Sequence, residues 1–276
     1  MYSRIQDRQV ANLLNATLFC EAIRQEFTLA LTISWRRRYP AADPQEIFKH
    51  HQAFMESIQH WLRYRGIVPA AFWAFERDLR VGLHSHIGVA VPAHLITAFK
   101  EHCVKQLRSD TGLVLPGMPY FKRLAKVSDR VRWASYSLKG VDHYNADWAP
   151  AFEGIGITRS GQGNIPFKRC GLTRGIDRAA RAKAGYVDLK KVPELAEFVF
   201  DVMHSGLLPE TQLSWLPTQD QRPHMDCPTH ALPQGEGRAT SWPIDQVDRP
   251  LTCLNGAQHL RGIGVAPVQL LNSVRA

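Results

Sequence analysis

His84 and His86 stand one residue apart in the run Leu83-His84-Ser85-His86-Ile87-Gly88-Val89, and that spacing sets up metal chemistry. Alternate side chains of an extended strand share one face, so both imidazoles point the same way. Two neutral imidazoles aimed together form a metal grip; the alternative is a pair of rings hydrogen-bonded or solvated on an exposed sheet face. Leu83, Ile87, Val89 and Val91 take the other face, toward a core. Upstream, residues 72–77 read as a second strand and residues 78–82 as a hairpin loop with a glycine. Antiparallel pairing of the two strands puts Glu76 opposite or diagonal to His84, on the face of both histidines. Two imidazoles and a carboxylate make a three-ligand site with open positions, and the hard carboxylate oxygen suits Mg²⁺ or Mn²⁺.

A candidate nucleophile follows at Tyr136, in a segment that reads as a helix. Ser128 or Asp129 suits its N-cap, Val131, Ala134 or Ser135, and Leu138 its buried stripe, and Gly140 its C-terminal stop. Arg132, Tyr136 and Lys139 then share one face at i, i+4 and i+7. A free phenol titrates near pH 10, so as a nucleophile at neutral pH it needs positive charge or a metal nearby. The same cations would offset the charge of an attacked phosphate.

The elements that must position these groups alternate between helix and strand. A helix is predicted over about 6–25, a strand over 27–34, and a helix from Asp43-Pro44 to Gly66. The hairpin 70–77 and 83–91 comes next, Pro92 opens a helix to about 108, and a short strand at 120–125 precedes the tyrosine helix. The sum is an α+β fold, a central antiparallel sheet with helices packed on one side. The domain reading is an N-terminal helix (1–26), a core (27–145), a basic accessory segment (146–210) and a proline-rich, unfolded tail (211–276). In the accessory segment the glycines at 154–163 match no phosphate cradle. The basic residues at 168–183 could bind duplex DNA or form a solvated face, and 193–207 reads as an amphipathic helix.

The chain carries 34 Lys and Arg against 25 Asp and Glu, a net charge of +9. The charge is uneven: residues 1–190 hold 28 basic and 16 acidic residues, and residues 191–276 hold 6 and 9. Positive charge thus travels with the motif-bearing part, as a phosphate-binding surface requires. Arg36, Arg37 and Arg38, then Lys122, Arg123 and Lys126, with Arg132, are the candidate DNA contacts. Trp35, Tyr39, Trp73, Tyr120, Phe121 and Trp133 interleave with them and are candidates for base stacking, with core packing as the alternative. Neither a signal peptide nor a membrane span is expected. The five cysteines are scattered and lack a C-x-x-C pair, which points to a reducing cytoplasm over a disulfide framework, with Cys103 a buried thiol.

In their order, Phe27-Thr28-Leu29-Ala30-Leu31-Thr32-Ile33-Ser34, His84-Ser85-His86 and Tyr136-Ser137-Leu138-Lys139 resemble the three motifs of the HUH (His-hydrophobic-His) endonucleases. The closer resemblance is to single-tyrosine rolling-circle replication initiators of plasmids and phages, over residues 25–145. It implies a ferredoxin-like or RRM-like nuclease core with the tyrosine helix across the metal-bearing face. It further implies that His84, His86 and Glu76 hold the metal and that Tyr136, assisted by Lys139, forms a 5′-phosphotyrosine link. The partner would be single-stranded DNA at a replication origin, with a host helicase and polymerase. Conjugative relaxases place the tyrosine ahead of the histidines, unlike this chain. Related transposases share the order but tend to carry Gln where Lys139 stands; a transposase and a non-catalytic basic DNA-binding protein are the rival readings. The chain departs from the pattern at Ser85, where the family has a bulky apolar residue, and Tyr144 is too far from Tyr136 to form a two-tyrosine pair.

Overall fold

Five strands form one sheet: β1 (Leu29–Ser34), β2 (Ala71–Asp78), β3 (Gly82–Val89), β4 (Tyr120–Arg123) and β5 (Cys170–Leu172), in the order β4-β1-β3-β2-β5. Every neighbouring pair is antiparallel. The computed structural model describes residues 5–78, 82–111, 118–139, 165–189 and 192–207. α1 (Asp7–Ala22) precedes β1; between the strands run the single turn α2 (Trp35–Arg38), α3 (Pro44–Arg63), α4 (Ile96–Thr111) and α5 (Val127–Ser137), and α6 (Arg178–Lys183) and α7 (Val192–Ser205) follow β5. The α+β class and the antiparallel sheet are those expected from the sequence.

Strand periodicity divides the molecule into two cores. Leu29, Leu31, Ile33, Phe75, Leu83, Ile87 and Val89 point to one face, where α3 (Phe54, Ile58, Leu62) and α4 (Phe99, Cys103, Leu107) cover them. The opposite face carries Ala30, Phe72 and Ala74, packed with α1 (Leu13, Leu14), α5 (Val131, Ala134) and α7 (Leu195, Val199). This second helical layer adds to the one-sided packing expected from the sequence. Beneath it the small residues Ala30, Ala74 and Gly88 leave room for the one large ring, Phe72. Gly88 lies directly against the Phe72 ring, which any Cβ there would strike. Toward the other end of that face the residues turn polar: Thr32, Ser34, Glu76, His84 and His86.

Local signals set the ends of the elements. Asp43 caps α3 by accepting from the Glu46 N–H at 2.8 Å, with Pro44 as its first residue. Gly82 closes the β2–β3 hairpin at φ +76, where an L side chain would be strained and would also meet Arg36. Neither Ser128 nor Asp129 is the N-cap of α5. The helix starts earlier, at Val127, and Asp129 acts from inside the first turn by accepting from the Lys126 N–H at 3.2 Å. Arg130 fastens α5 to α1 through both oxygens of Glu21, at 2.5 and 2.6 Å.

Part of the basic stretch at 168–183 builds structure, while Lys168, Arg174, Arg178 and Lys183 stay exposed. Cys170–Leu172 pairs with β2 and shields what would otherwise be a bare sheet edge. Arg181 is fully buried, donating to both Asp188 oxygens, to Asn12 and to the Ile176 carbonyl at 2.7–2.8 Å. Arg169 is buried as well. As expected, Cys103 is a buried thiol, and Cys20 and Cys170 are likewise free and buried. No helix among the described residues is long and apolar enough to cross a membrane. Gly140, Tyr144, the glycines at 154–163, Cys227, Cys253 and the proline-rich stretch at 211–276 lie outside the described residues.

Candidate metal centre

The β2–β3 register puts Glu76 directly opposite His84 and Ala74 opposite His86, so the carboxylate and both rings occupy one face. All three residues are buried. His84 Nε2 lies 3.0 Å and His86 Nε2 2.8 Å from the same Glu76 oxygen, Oε2. One candidate ligand atom from each residue falls within 4.8 Å of the others, the only such group of three among the described residues. The expected triad is therefore assembled, and its chemistry fits a metal ion.

The outer nitrogens show why. His84 Nδ1 sits 3.0 Å from the Gly82 carbonyl oxygen, which can only accept, so Nδ1 carries a proton. That leaves Nε2, the nitrogen facing Glu76, as the one placed to act as a ligand. Burial pushes the Glu76 carboxyl upward, but hydrogen bonds from His84, His86 and Lys139 outweigh it and hold Glu76 well below the usual carboxylate range. Burial takes His86 down to about 4, partly offset by Glu76. An ionised carboxylate beside a neutral imidazole is the state that metal ligands require. Ser34, opposite His84 on β1, keeps a buried hydroxyl with no hydrogen-bond partner, a spare oxygen at the edge of the group.

The tyrosine helix delivers its residues to this cluster. Val131, Ala134, Ser135 and Leu138 form the buried side of the segment, as its spacing predicts. Tyr136 remains 37% exposed at the opening of the site. Lys139 donates to the Tyr136 hydroxyl at 2.8 Å and to Glu76 Oε2 at 2.7 Å. One ammonium thus links the phenol to the carboxylate on which both histidines converge. The Tyr136 ring also meets the His86 ring at 5.2 Å between centroids and stacks on Trp133 at 5.7 Å. Trp133 is fixed in turn by donating from Nε1 to the Ile87 carbonyl at 3.2 Å. Of the two cations expected beside the phenol, Lys139 makes the contact, whereas Arg132 is exposed.

The other candidates separate by burial. Arg36, Arg37, Lys122, Arg123 and Lys126 are exposed, but Arg38 is buried beside Tyr39. Tyr120, 58% exposed on edge strand β4, is open to stacking; Trp35 is buried at 1%. Two groups escaped the sequence reading. Thr32 Oγ1 lies 3.2 Å from His86 Nδ1; the parity of β1 could have flagged it, but only the β1–β3 register identifies its partner. The Glu21–Arg130 pair spans 109 residues in sequence and left no local signal. Comparison with known proteins adds no relative: no family model, characterised protein or solved structure matches the chain.

Proposed function

We propose that this protein is an HUH-type endonuclease of the rolling-circle replication kind, cutting single-stranded DNA through attack by Tyr136. The observation that carries this reading is the Lys139 bridge, which ties the phenol oxygen of a late helix to the three-ligand cluster of a central hairpin. Glu76, His84 and His86 would hold one Mg²⁺ or Mn²⁺, which supplies Lewis-acid polarisation of the scissile phosphate. The Tyr136 oxygen attacks phosphorus in line and gives up its proton, the bond to the 3′-oxygen breaks, and that oxygen takes up a proton to become a 3′-hydroxyl that can prime synthesis. The 5′-phosphate stays on Tyr136, so rejoining needs no nucleoside triphosphate. Lys139 orients the phenol and offsets phosphate charge, and Trp133 fixes the plane of the tyrosine ring. Arg36, Arg37, Lys122, Arg123, Lys126 and Arg132, all exposed, are the residues for the DNA backbone.

The test is a denaturing gel of protein with labelled origin single strand and Mn²⁺. The wild-type protein gives a DNA-linked band. Tyr136→Phe gives none while still binding the strand, and changing His84 and His86 together to Ala removes divalent-dependent nicking. Covalent attachment by Tyr136→Phe would move the nucleophile elsewhere. Unaltered nicking by the double histidine variant would end the metal assignment.

A further inference from the structure

The two histidines are held from behind by different chemistry. Behind His84 stands a backbone carbonyl, which only accepts. Behind His86 stands the Thr32 hydroxyl, which can donate or accept. A threonine in a strand needs no functional reason, since β-branched residues favour strands. Thr32 is set apart by its register: it pairs directly with His86 on β3, within a face whose other β1 residues are Ala30 and Ser34.

In the structure as it stands, His86 Nε2 is 2.8 Å from a carboxylate oxygen. A neutral ring facing it carries its proton on Nε2, and Nδ1 then accepts from Thr32. Once Nε2 gives its lone pair to a divalent cation, the same neutral ring must carry its proton on Nδ1, and Thr32 Oγ1 becomes the acceptor. The proton count does not change; only its place on the ring does. A metal-ligating histidine is ordinarily oriented through its second nitrogen in this way.

We propose that Thr32 is a positioning residue of the metal centre, whose hydroxyl holds the His86 ring with Nε2 toward Glu76 and supports both tautomers by exchanging donor for acceptor. This rests on the metal reading above. Thr32→Val removes the oxygen while keeping the shape and a strong strand former, and Thr32→Ser keeps the oxygen.

Mn²⁺ titration followed by electron paramagnetic resonance gives the affinity of each full-length variant without reference to DNA cleavage, with His86→Ala marking the loss of a ligand. Thr32→Val is expected to bind Mn²⁺ about 10- to 100-fold more weakly than wild type, the usual cost of losing such a partner, and Thr32→Ser to bind within about threefold of it. In the Mg²⁺-loaded protein, nitrogen NMR of the His86 ring should place the proton on Nδ1. Wild-type affinity in Thr32→Val, or equal loss in Thr32→Val and Thr32→Ser, overturns the role of the hydroxyl and leaves the metal reading standing. A wild-type protein that binds no Mn²⁺ removes the metal reading itself, and the role of Thr32 with it.

Discussion

The sheet has buried histidines on both sides, and their surroundings differ in kind. His84 and His86 share a carboxylate oxygen, and each second nitrogen has a partner in Gly82 or Thr32. His51, on α3 over the other face, is fully buried among Phe75, Trp73 and Trp35, with ring centroids at 4.5, 5.0 and 5.8 Å. Neither of its ring nitrogens has a hydrogen-bond partner. Burial therefore does not distinguish a ligand from a packed ring. Convergence does: one pair of rings is aimed at a charge and set from behind, while the third is a flat filler in an aromatic box.

The contrast is sharpest at Lys139, which pairs with the carboxylate shared by the two histidines. Its ammonium lies 2.7 Å from the oxygen a divalent ion would need and 2.8 Å from the Tyr136 hydroxyl. Lys139→Met should thus move two readouts in opposite directions. Mn²⁺ binding should tighten by about tenfold or more, because a charge-assisted hydrogen bond competing for Glu76 is gone. Strand cleavage should fall by about 100-fold, the usual cost of removing one donor from a site of developing charge. Weaker Mn²⁺ binding in this variant would show that Lys139 supports the ion and does not compete with it.

The chemistry-bearing face was legible in the sequence because strand parity, with antiparallel pairing across one short hairpin, puts Glu76, His84 and His86 together. The stripe of α5 was legible for the same reason at helical spacing, and with it the exposure of Tyr136. What the sequence could not carry was contact across distance. The strand 170–172 is three residues of mixed character, and only an edge in need of a partner makes it a strand. Arg38, Arg169 and Arg181 read as surface charge because a basic residue carries no local sign of a buried acceptor. Thr32 falls between these cases, since its face follows from parity but its partner comes from the order of strands.

His51 gives the converse test, a histidine whose proton should harm the fold. Burial alone takes it down to about 3, against about 6.5 for an exposed histidine. Its contribution is intact above about pH 6.5 and is lost as pH falls toward 3, because the unfolded chain takes up a proton that the folded chain refuses. His51→Leu should remove that dependence. Between pH 7 and pH 4 its unfolding free energy should fall by about 3 kcal/mol less than that of wild type, at close to 1.4 kcal/mol per pH unit. Chemical denaturation at a series of pH values measures this, and parallel curves for the two proteins would show that His51 is reached by water.

The smallest effect concerns the residue between the two histidines. Ser85 stands where the proposed family would have a bulky apolar residue, and it points away from His84 and His86 into the other core, fully buried. There its Oγ accepts from Trp35 Nε1 at 2.9 Å. The departure therefore has a local cause, since an indole N–H buried on that side needs an acceptor. Ser85→Val restores the apolar residue and should destabilise the protein by about 1–2 kcal/mol, the cost of stranding a buried donor, while Mn²⁺ affinity stays at its wild-type value. Trp35→Phe removes the donor as well, so adding Ser85→Val to it should cost clearly less than adding it to wild type. Additive losses in that cycle would mean that Ser85 is kept for its size, and that the two sides of β3 are not divided as sharply as its alternation implies.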